Sequence, residues 1–426
     1  MTYKDRKILQ RLYNFIKSDE ILVIHGSRQV GKTTLLKMLM NKLPEDEISP
    51  NNVIYFDLED FVLLELCDKG VTEVVNYIES RSTNKQQKIF LFIDEIQYLE
   101  RPSSFLKLFY DHHKERFKLV VSGSSSFNIK SKFKDSLVGR TINFEVFPLD
   151  FEEFLTFKDV SINLKSIQSE HIHTELKDYY TEWITFGGYP RIALESNIEN
   201  KQVYLKQVLN TYIKKDIGDY ANVRNLQKFN TMLRMLADQS GSLLNISELS
   251  NSIGLARQTV EEYLFILENT YIIKRVPPFF NNVRSELTKA PKIFFEDTGI
   301  LNLLRYGQFI TKTDGLTFEN SIYSLLRKNI DSDRIKYWRT TDKKELDFII
   351  DNVSSLIAIE AKLRYTGKAS HLRQFVSHYS DIKSYCINCF VCTLDKLKKS
   401  DENVQVVYPW EFYSPNNGPL VLSEIS

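Results

Sequence analysis

Between the apolar run Ile21-Leu22-Val23-Ile24 and the helical spacing of Leu35, Leu36 and Leu39 lies Gly26-Ser27-Arg28-Gln29-Val30-Gly31-Lys32-Thr33, followed by Thr34. A strand, a glycine-bounded loop and a helix in that order leave few folds open. Glycines let successive backbone amides curl around a polyphosphate at a helix N-terminus, where the helix dipole favours negative charge. The spacing predicts a phosphate-binding loop over residues 26–34. In it Lys32 pairs with the outer phosphates of a nucleoside triphosphate and Thr33 places its hydroxyl on Mg2+. The competing explanation is a glycine-containing turn that matches by chance.

Two further apolar runs extend the pattern. Val53-Ile54-Tyr55-Phe56-Asp57 has the composition of a buried strand, and Ile89-Phe90-Leu91-Phe92-Ile93 runs into Asp94-Glu95. A wholly apolar strand carries such carboxylates to its C-terminal edge, where an open parallel sheet binds ligands. Asp94 is then expected to hold the hydration shell of Mg2+, and Glu95 to orient and polarise the attacking water. A third run, Leu119-Val120-Val121, ends in Ser122-Gly123-Ser124-Ser125-Ser126. Ser122 and its neighbours are candidates to sense the terminal phosphate, with a turn-forming loop as the alternative. Arg140, in Leu137-Val138-Gly139-Arg140, is the candidate to reach across a subunit boundary and stabilise charge on the transferred phosphoryl group. A solvated or salt-bridged arginine is the other reading.

Composition bounds the rest. A chain of 426 residues exceeds what one hydrophobic core supports, so about two to four domains are expected. The 56 Lys+Arg against 55 Asp+Glu leave a net charge of +1, so any nucleic-acid surface must be a local patch. Met1-Thr2-Tyr3-Lys4-Asp5-Arg6 lacks the apolar core of a signal peptide. No run approaches the roughly eighteen apolar residues of a membrane span, so a cytoplasmic protein without a membrane partner is expected. Four cysteines make no disulfide framework. Cys386, Cys389 and Cys392 fall in a strand-like run and are read as packing residues rather than metal ligands.

These segments resemble a bacterial and archaeal AAA+ ATPase family in which an ATPase core is joined to a C-terminal domain of unknown function. The likeness rests on residues 26–36, Asp94-Glu95-Ile96-Gln97, Ser122–Ser126, Gly139-Arg140 and Phe147-Pro148-Leu149. Further on it includes Gly187-Gly188-Tyr189-Pro190 and Lys292-Ile293-Phe294-Phe295-Glu296-Asp297-Thr298-Gly299. The resemblance implies ATP and Mg2+ as cofactors and a multimer, of this chain or with another subunit, that completes the active site. It also implies an α/β fold: a P-loop parallel sheet over 1–155 and a helical lid over 156–225.

From Asn245 the pattern reads as helix-turn-helix, with Ile246–Ile253, Gly254, and then Arg257–Leu264. Leu267–Ile273 with Lys274 and Arg275, and then Lys292–Phe295, are expected to supply the strands of a winged-helix module over 226–305. In a DNA-binding version Arg257, Gln258 and Thr259 face the major groove while Lys274, Arg275 and Arg284 contact phosphates. Glu261 and Glu262 oppose that reading, because they repel phosphate if they share the face.

The last segment, 306–426, carries a second constellation. Asp347 lies in one strand of a hairpin, and Glu360 and Lys362 follow in the next after twelve intervening residues. Residues two apart on a strand share a face, so Glu360 and Lys362 can share a site. The stretch resembles restriction-endonuclease-like domains of the PD-(D/E)xK type, preceded by Tyr337-Trp338-Arg339, although Glu345-Leu346-Asp347 stands where a proline usually leads. The resemblance implies that Asp347 and Glu360, with Glu319 from the preceding helix, hold Mg2+ and that Lys362 positions water or stabilises charge. An inactive fold serving as an interaction platform, or a plain hairpin ending in acids, fits the same residues. Asp111-His112-His113 and His171-Ile172-His173 are read as surface residues, and Lys396–Lys399 as a solvated charge run. The expected protein is an ATP-hydrolysing machine acting on DNA, with a nucleotide-dependent switch as the alternative.

Overall fold

The computed structural model describes residues 3–81, 84–123, 137–167, 169–214, 225–279, 289–309, 312–352, 355–365, 367, 369–379, 386–394 and 404–413. The chain divides into two compact units, Met1–Pro148 with Tyr212–Ala221 and Leu149–Thr211 with Asn222–Ser426. Among the described residues no helix is long and apolar enough to cross a membrane.

The first unit follows from its apolar runs. Helix α1 (Lys7–Asn14), β1 (Ile21–Gly26), α2 (Lys32–Lys42), β2 (Val53–Asp57), α3 (Phe61–Asp68), α4 (Val71–Glu79), β3 (Ile89–Asp94), α5 (Pro102–His113), β4 (Phe117–Gly123) and β5 (Thr141–Val146) succeed one another. The strands form a sheet in the order β2-β3-β4-β1-β5, and every pairing is parallel. β1, β3 and β4 are buried along their whole length, as strands covered on both faces must be. This is the parallel P-loop core expected from the sequence. Its C-terminal edge brings together the ends of β1, β3 and β4.

The second unit begins with α6 (Phe151–Phe157), started by a capping box between Asp150 and Glu153. Helices α7 (Glu170–Phe186), α8 (Pro190–Leu194) and α9 (Ile198–Thr211) follow. Of the segment 156–225 read from the sequence as an ATPase lid, residues 156–211 lie in this unit. The reason is aromatic: Phe151, Tyr180 and Trp183 share a core with Phe318, Ile322 and Trp410. The Tyr180 hydroxyl pairs with Ser321 Oγ at 3.1 Å, and Trp183 Nε1 donates to the Leu149 carbonyl at 3.1 Å. The Gly187-Gly188 break also has a physical cause. A Cβ on Gly188 would stand 2.2 Å from the Leu149 carbonyl oxygen, and the Gly188 amide donates to buried Asp297.

Helices α10 (Leu226–Asp238), α11 (Ile246–Ile253) and α12 (Arg257–Asn269) precede β6 (Ile273–Val276), which pairs antiparallel with β7 (Lys292–Phe295). Leu267 belongs to α12, so the strand expected to begin there starts at Ile273. After α13 (Thr298–Tyr306) and α14 (Gly315–Arg327) come β8 (Ile335–Arg339), β9 (Glu345–Asp351), β10 (Ser355–Ala361), α15 (Ser370–Tyr379), β11 (Cys386–Cys392) and β12 (Gln405–Val407). The sheet order is β12-β11-β10-β9-β8, with β8, β9 and β10 antiparallel in turn and β10, β11 and β12 parallel. The β6–β7 hairpin is joined to this sheet's edge. Phe279 N donates to the Tyr337 carbonyl at 2.6 Å, and Tyr337 Oη donates to the Ala290 carbonyl at 2.6 Å.

Two minor readings change. His173 is half-buried: its Nδ1 accepts a hydrogen bond from Trp410 Nε1 at 3.0 Å, and its ring packs on Tyr408. Burial holds its pKa below the ordinary histidine value. Cys389 and Cys392 are buried while Cys386 is exposed, and all three are free thiols. Steps of three along a strand alternate faces, so Cys389 and Cys392 enter different cores. Arg284, Ser124–Ser126 and Lys396–Lys399 lie outside the described residues.

Candidate functional site

In the first unit β1 ends in the loop that the sequence singled out. A Cβ on Gly26 would fall 2.1 Å from the Val146 carbonyl oxygen on β5, so only glycine fits there. Gly31 caps α2 at φ 97°, a left-handed conformation that glycine adopts without strain. The loop is fixed from outside by Arg6, whose guanidinium donates to the Val30 and Phe147 carbonyls at 2.9 Å each. Lys32 is buried, with Nζ 3.0 Å from the Gly26 carbonyl and 2.7 Å from that of Ser27. Ser27 Oγ is buried with no hydrogen-bond partner, Arg28 and Gln29 continue the loop, and Thr34 is exposed.

The sheet carries the acids to the same edge. Asp94 ends β3 opposite Asp57 of β2, and its Oδ2 accepts a hydrogen bond from Thr33 Oγ1 at 2.6 Å. Ser122, paired with Ile24 in the sheet, donates to Asp94 Oδ1. Tyr55 Oη donates to Asp94 Oδ2 at 3.0 Å. Burial, together with the adjacent Asp94 carboxylate, pushes the Tyr55 phenol far above its usual range, so it remains a donor. Glu95 follows at φ 57°, an uncommon conformation for a side-chain-bearing residue, and accepts a hydrogen bond from buried Gln97. The structure thus brings Lys32, Thr33, Asp94, Glu95 and Ser122 to one edge. Sequence reasoning missed Tyr55, Gln97 and Arg6. For Tyr55 the available signal was a hydroxyl two residues before Asp57 in an otherwise apolar strand.

Arg140 sits elsewhere. Its carbonyl accepts from Ile21 N, at the start of β1, whereas the phosphate loop follows the end of that strand. Its guanidinium Nε lies 2.7 Å from Asp111 Oδ1. Arg140 therefore cannot reach the loop of its own chain.

The residues fit a nucleotide with Mg2+. A buried ammonium and an unpartnered buried hydroxyl line the glycine loop, and a hydroxyl–carboxylate pair of the kind that flanks a hard cation stands beside them. Fold and loop together define a P-loop nucleotide-binding domain of the ATPase type.

Comparison with known proteins agrees. Residues 18–155 match the AAA domain, residues 177–310 a domain of unknown function (DUF8612) and residues 314–413 a second one (DUF4143). Along the chain an AAA-domain match is thus followed by matches to two domains of unknown function. An uncharacterized protein of Methanocaldococcus jannaschii is 25% identical over 409 residues, covering 92% of this chain and 88% of its own. One from Haemophilus influenzae is 25% identical over 388 residues, covering 88% and 91%. Among solved structures, PCH-2 of C. elegans is similar over 49% of this chain and 64% of its own, at 18% identity and TM-score 0.31. AMPPCP-bound DnaA from Aquifex aeolicus is similar over 62% and 86%, at 16% identity and TM-score 0.26.

The second unit gathers the other expected residues around a cation that the sequence reading did not include. Asp347 on β9 and Glu360 on β10 lie on neighbouring strands, and Glu319 projects from α14. Lys292 of β7 enters among them, with Nζ 3.0 Å from Glu319 Oε1, 2.5 Å from Glu345 Oε1 and 3.9 Å from Asp347 Oδ1. Burial alone would lower the lysine pKa, but Glu319, Asp347 and Glu345 outweigh it and hold the group charged. Burial and the neighbouring Asp347 push the Glu319 carboxyl above its usual range, and the Lys292 ammonium opposes them. Asp347 Oδ2 accepts the Ala361 amide at 2.8 Å. Glu360 faces Lys362 at 3.1 Å and His371 at 3.8 Å. Among the described residues no group of three or more His, Cys, Asp or Glu is arranged to hold a metal. The Lys292 ammonium therefore occupies the side of the cluster between Glu319 and Asp347, where it competes with Mg2+, while Glu360 Oε2 is buried with no hydrogen-bond partner. Arg275, expected on DNA phosphates, is instead clamped by Glu268 at 2.6 Å and Glu261 at 3.3 Å.

Proposed function

We propose that the first unit binds and hydrolyses ATP with Mg2+, and that its nucleotide cycle changes what the second unit binds. The observation that carries this reading is the Thr33–Asp94 pair beside Lys32. Mg2+, when bound, would neutralise phosphate charge and hold the nucleotide in register. Lys32 would bind the outer phosphates, and Thr33 and Asp94 would hold the metal and its water. Glu95 would orient the attacking water and draw off its proton once Gln97 releases it. Ser122 supports Asp94 and through it the terminal phosphate. Tyr55 fixes the Asp94 carboxylate. Gly26, Ser27, Arg28, Gln29, Val30, Gly31 and Thr34 supply the backbone cradle.

Arg140, remote from its own loop, suits delivery to a neighbouring subunit in a homo-oligomer or mixed assembly, at the expense of its pair with Asp111. The three helices and hairpin of residues 226–295 suit a winged helix, with exposed Arg257 and Gln258 opening α12 towards DNA. DNA cleavage by Asp347, Glu360 and Lys362 in a nuclease-like fold over 306–426 is the first of two loads that suit the chain. The Lys292 ammonium favours the second, a nucleotide-dependent switch whose nuclease-like domain is a partner-binding platform. Equilibrium binding of a fluorescent ATP analogue tests the reading: Lys32→Ala abolishes binding, whereas Glu95→Gln binds normally and loses turnover. Equal binding by wild type and Lys32→Ala would refute the assigned site.

A further inference from the structure

We propose that Lys292 is the resident cation of the carboxylate centre in the second unit: its ammonium holds the position between Glu319, Glu345 and Asp347 that a divalent metal needs, and the centre as built binds none. The side chain is 1% exposed, and its contacts at 2.5 and 3.0 Å are charge-assisted hydrogen bonds. An ammonium is a compact monovalent cation with three donors, and burying it is costly unless it is paired and hydrogen-bonded. Mg2+ demands six oxygens at about 2.0–2.1 Å and keeps several waters. That shell cannot share the space with Lys292.

The surroundings keep the ammonium in place. β7 is bound on one side to β6 and on the other to residues 241–244. Gly241 N donates to the Ile293 carbonyl at 2.7 Å, Ile293 N to that of Ser242 at 3.3 Å, and Leu244 N to that of Pro291 at 2.8 Å. Gly241 packs close to Glu319, since a Cβ there would stand 3.1 Å from Oε2. Much of the remaining ligand capacity is spent locally, although Glu360 Oε2 is buried with no hydrogen-bond partner. Asp347 Oδ2 holds the Ala361 amide, Glu345 Oε2 holds Arg339 at 2.8 Å, and Glu360 Oε1 holds Lys362. Lys292 comes from the DUF8612 match and its three acids from the DUF4143 match, so the same ammonium also ties the two segments together.

This deepens the platform reading, and the two can fail separately. The test is titration of the nucleotide-free full chain with Mn2+, followed by the free-ion paramagnetic resonance signal, in wild type, Asp347→Asn, Lys292→Ala and the double variant. Ion held at the phosphate loop is common to all four, so differences report on this centre. Wild type and Asp347→Asn are expected to titrate alike, while Lys292→Ala takes up an extra equivalent of Mn2+ that the double variant loses. More Mn2+ on wild type than on Asp347→Asn would overturn the inference, as would a folded Lys292→Ala with no extra site. Should Lys292→Ala fail to fold by circular dichroism, the comparison of wild type with Asp347→Asn decides alone. Nicking of supercoiled DNA by the same samples reports separately on the platform reading: Asp347-dependent nicking by wild type would end it.

Discussion

Thr33 Oγ1 lies 2.6 Å from Asp94 Oδ2, joining the first turn of α2 to the end of β3 across the mouth of the phosphate loop. The two residues are far apart in sequence and meet because β1 and β3 deliver their C-termini to one edge of a parallel sheet. Under the proposed function, a hydroxyl and a carboxylate held in this way would stand ready for the hard cation that accompanies the nucleotide.

Tyr55→Phe removes one of the donors that hold Asp94. A hydrogen bond to a charged group is worth about 1.5–3 kcal/mol, so ATP turnover is expected to fall about tenfold or more. Because the loss acts through metal positioning, the Mg2+ concentration for half-maximal rate rises while ATP affinity measured without metal stays unchanged. An equal fall at all Mg2+ concentrations would show that Tyr55 does not act through the metal.

Arg6→Ala frees the carbonyls of Val30 and Phe147 from a buried guanidinium. The loop then loses its external support, and nucleotide affinity is expected to drop about tenfold, a change of about 1.4 kcal/mol, with the fold intact. Calorimetric titration with ATP checks it.

Glu182 accepts from both Lys158 and Lys201 at 2.9 Å, and Lys201 is buried. Burial raises the carboxyl pKa, but the two ammonium groups outweigh it and hold it below the ordinary 4.5. A depressed carboxylate stabilises the fold above the unfolded pKa and loses that contribution as pH falls through the folded one. Glu182→Gln therefore costs about 1.5–3 kcal/mol at neutral pH, and the gap from wild type narrows below pH 4.5. Urea midpoints at neutral and acid pH measure it.

Arg275→Ala is expected to leave any DNA affinity and its salt dependence unchanged, because Glu268 and Glu261 already hold the guanidinium. Arg257→Ala is expected to weaken DNA binding and reduce the salt slope by about 1. Fluorescence anisotropy across a salt series separates them. Loss in Arg275→Ala alone would reassign the contact.

The phosphate loop and the three strand ends were legible in the sequence because local spacing fixes them. Gly26 to Thr33 spans one turn, and an apolar strand ending in Asp94 has one edge to end on. The proximity of Asp347 and Glu360 was legible for a similar reason, since strand alternation fixes faces. Lys292 was not, because it reaches Glu319, Glu345 and Asp347 only through the docking of a hairpin on β8, which no periodicity reports. The packing partner of residues 156–211 was not legible for a related reason: their amphipathic helices announce a buried face but not its partner, and Trp410 on the far side of the sequence decides it. The pairing of Arg275 with Glu268 was within reach, because only seven residues separate them across a helix end.

Phosphate release from ATP by full-length wild type and by Asp94→Asn, with Mg2+ and at matched folded concentration, tests the central claim most directly. Steady release by wild type that Asp94→Asn abolishes is the predicted result. Equal release by both, or none from well-folded wild type in any assembly state, would contradict it.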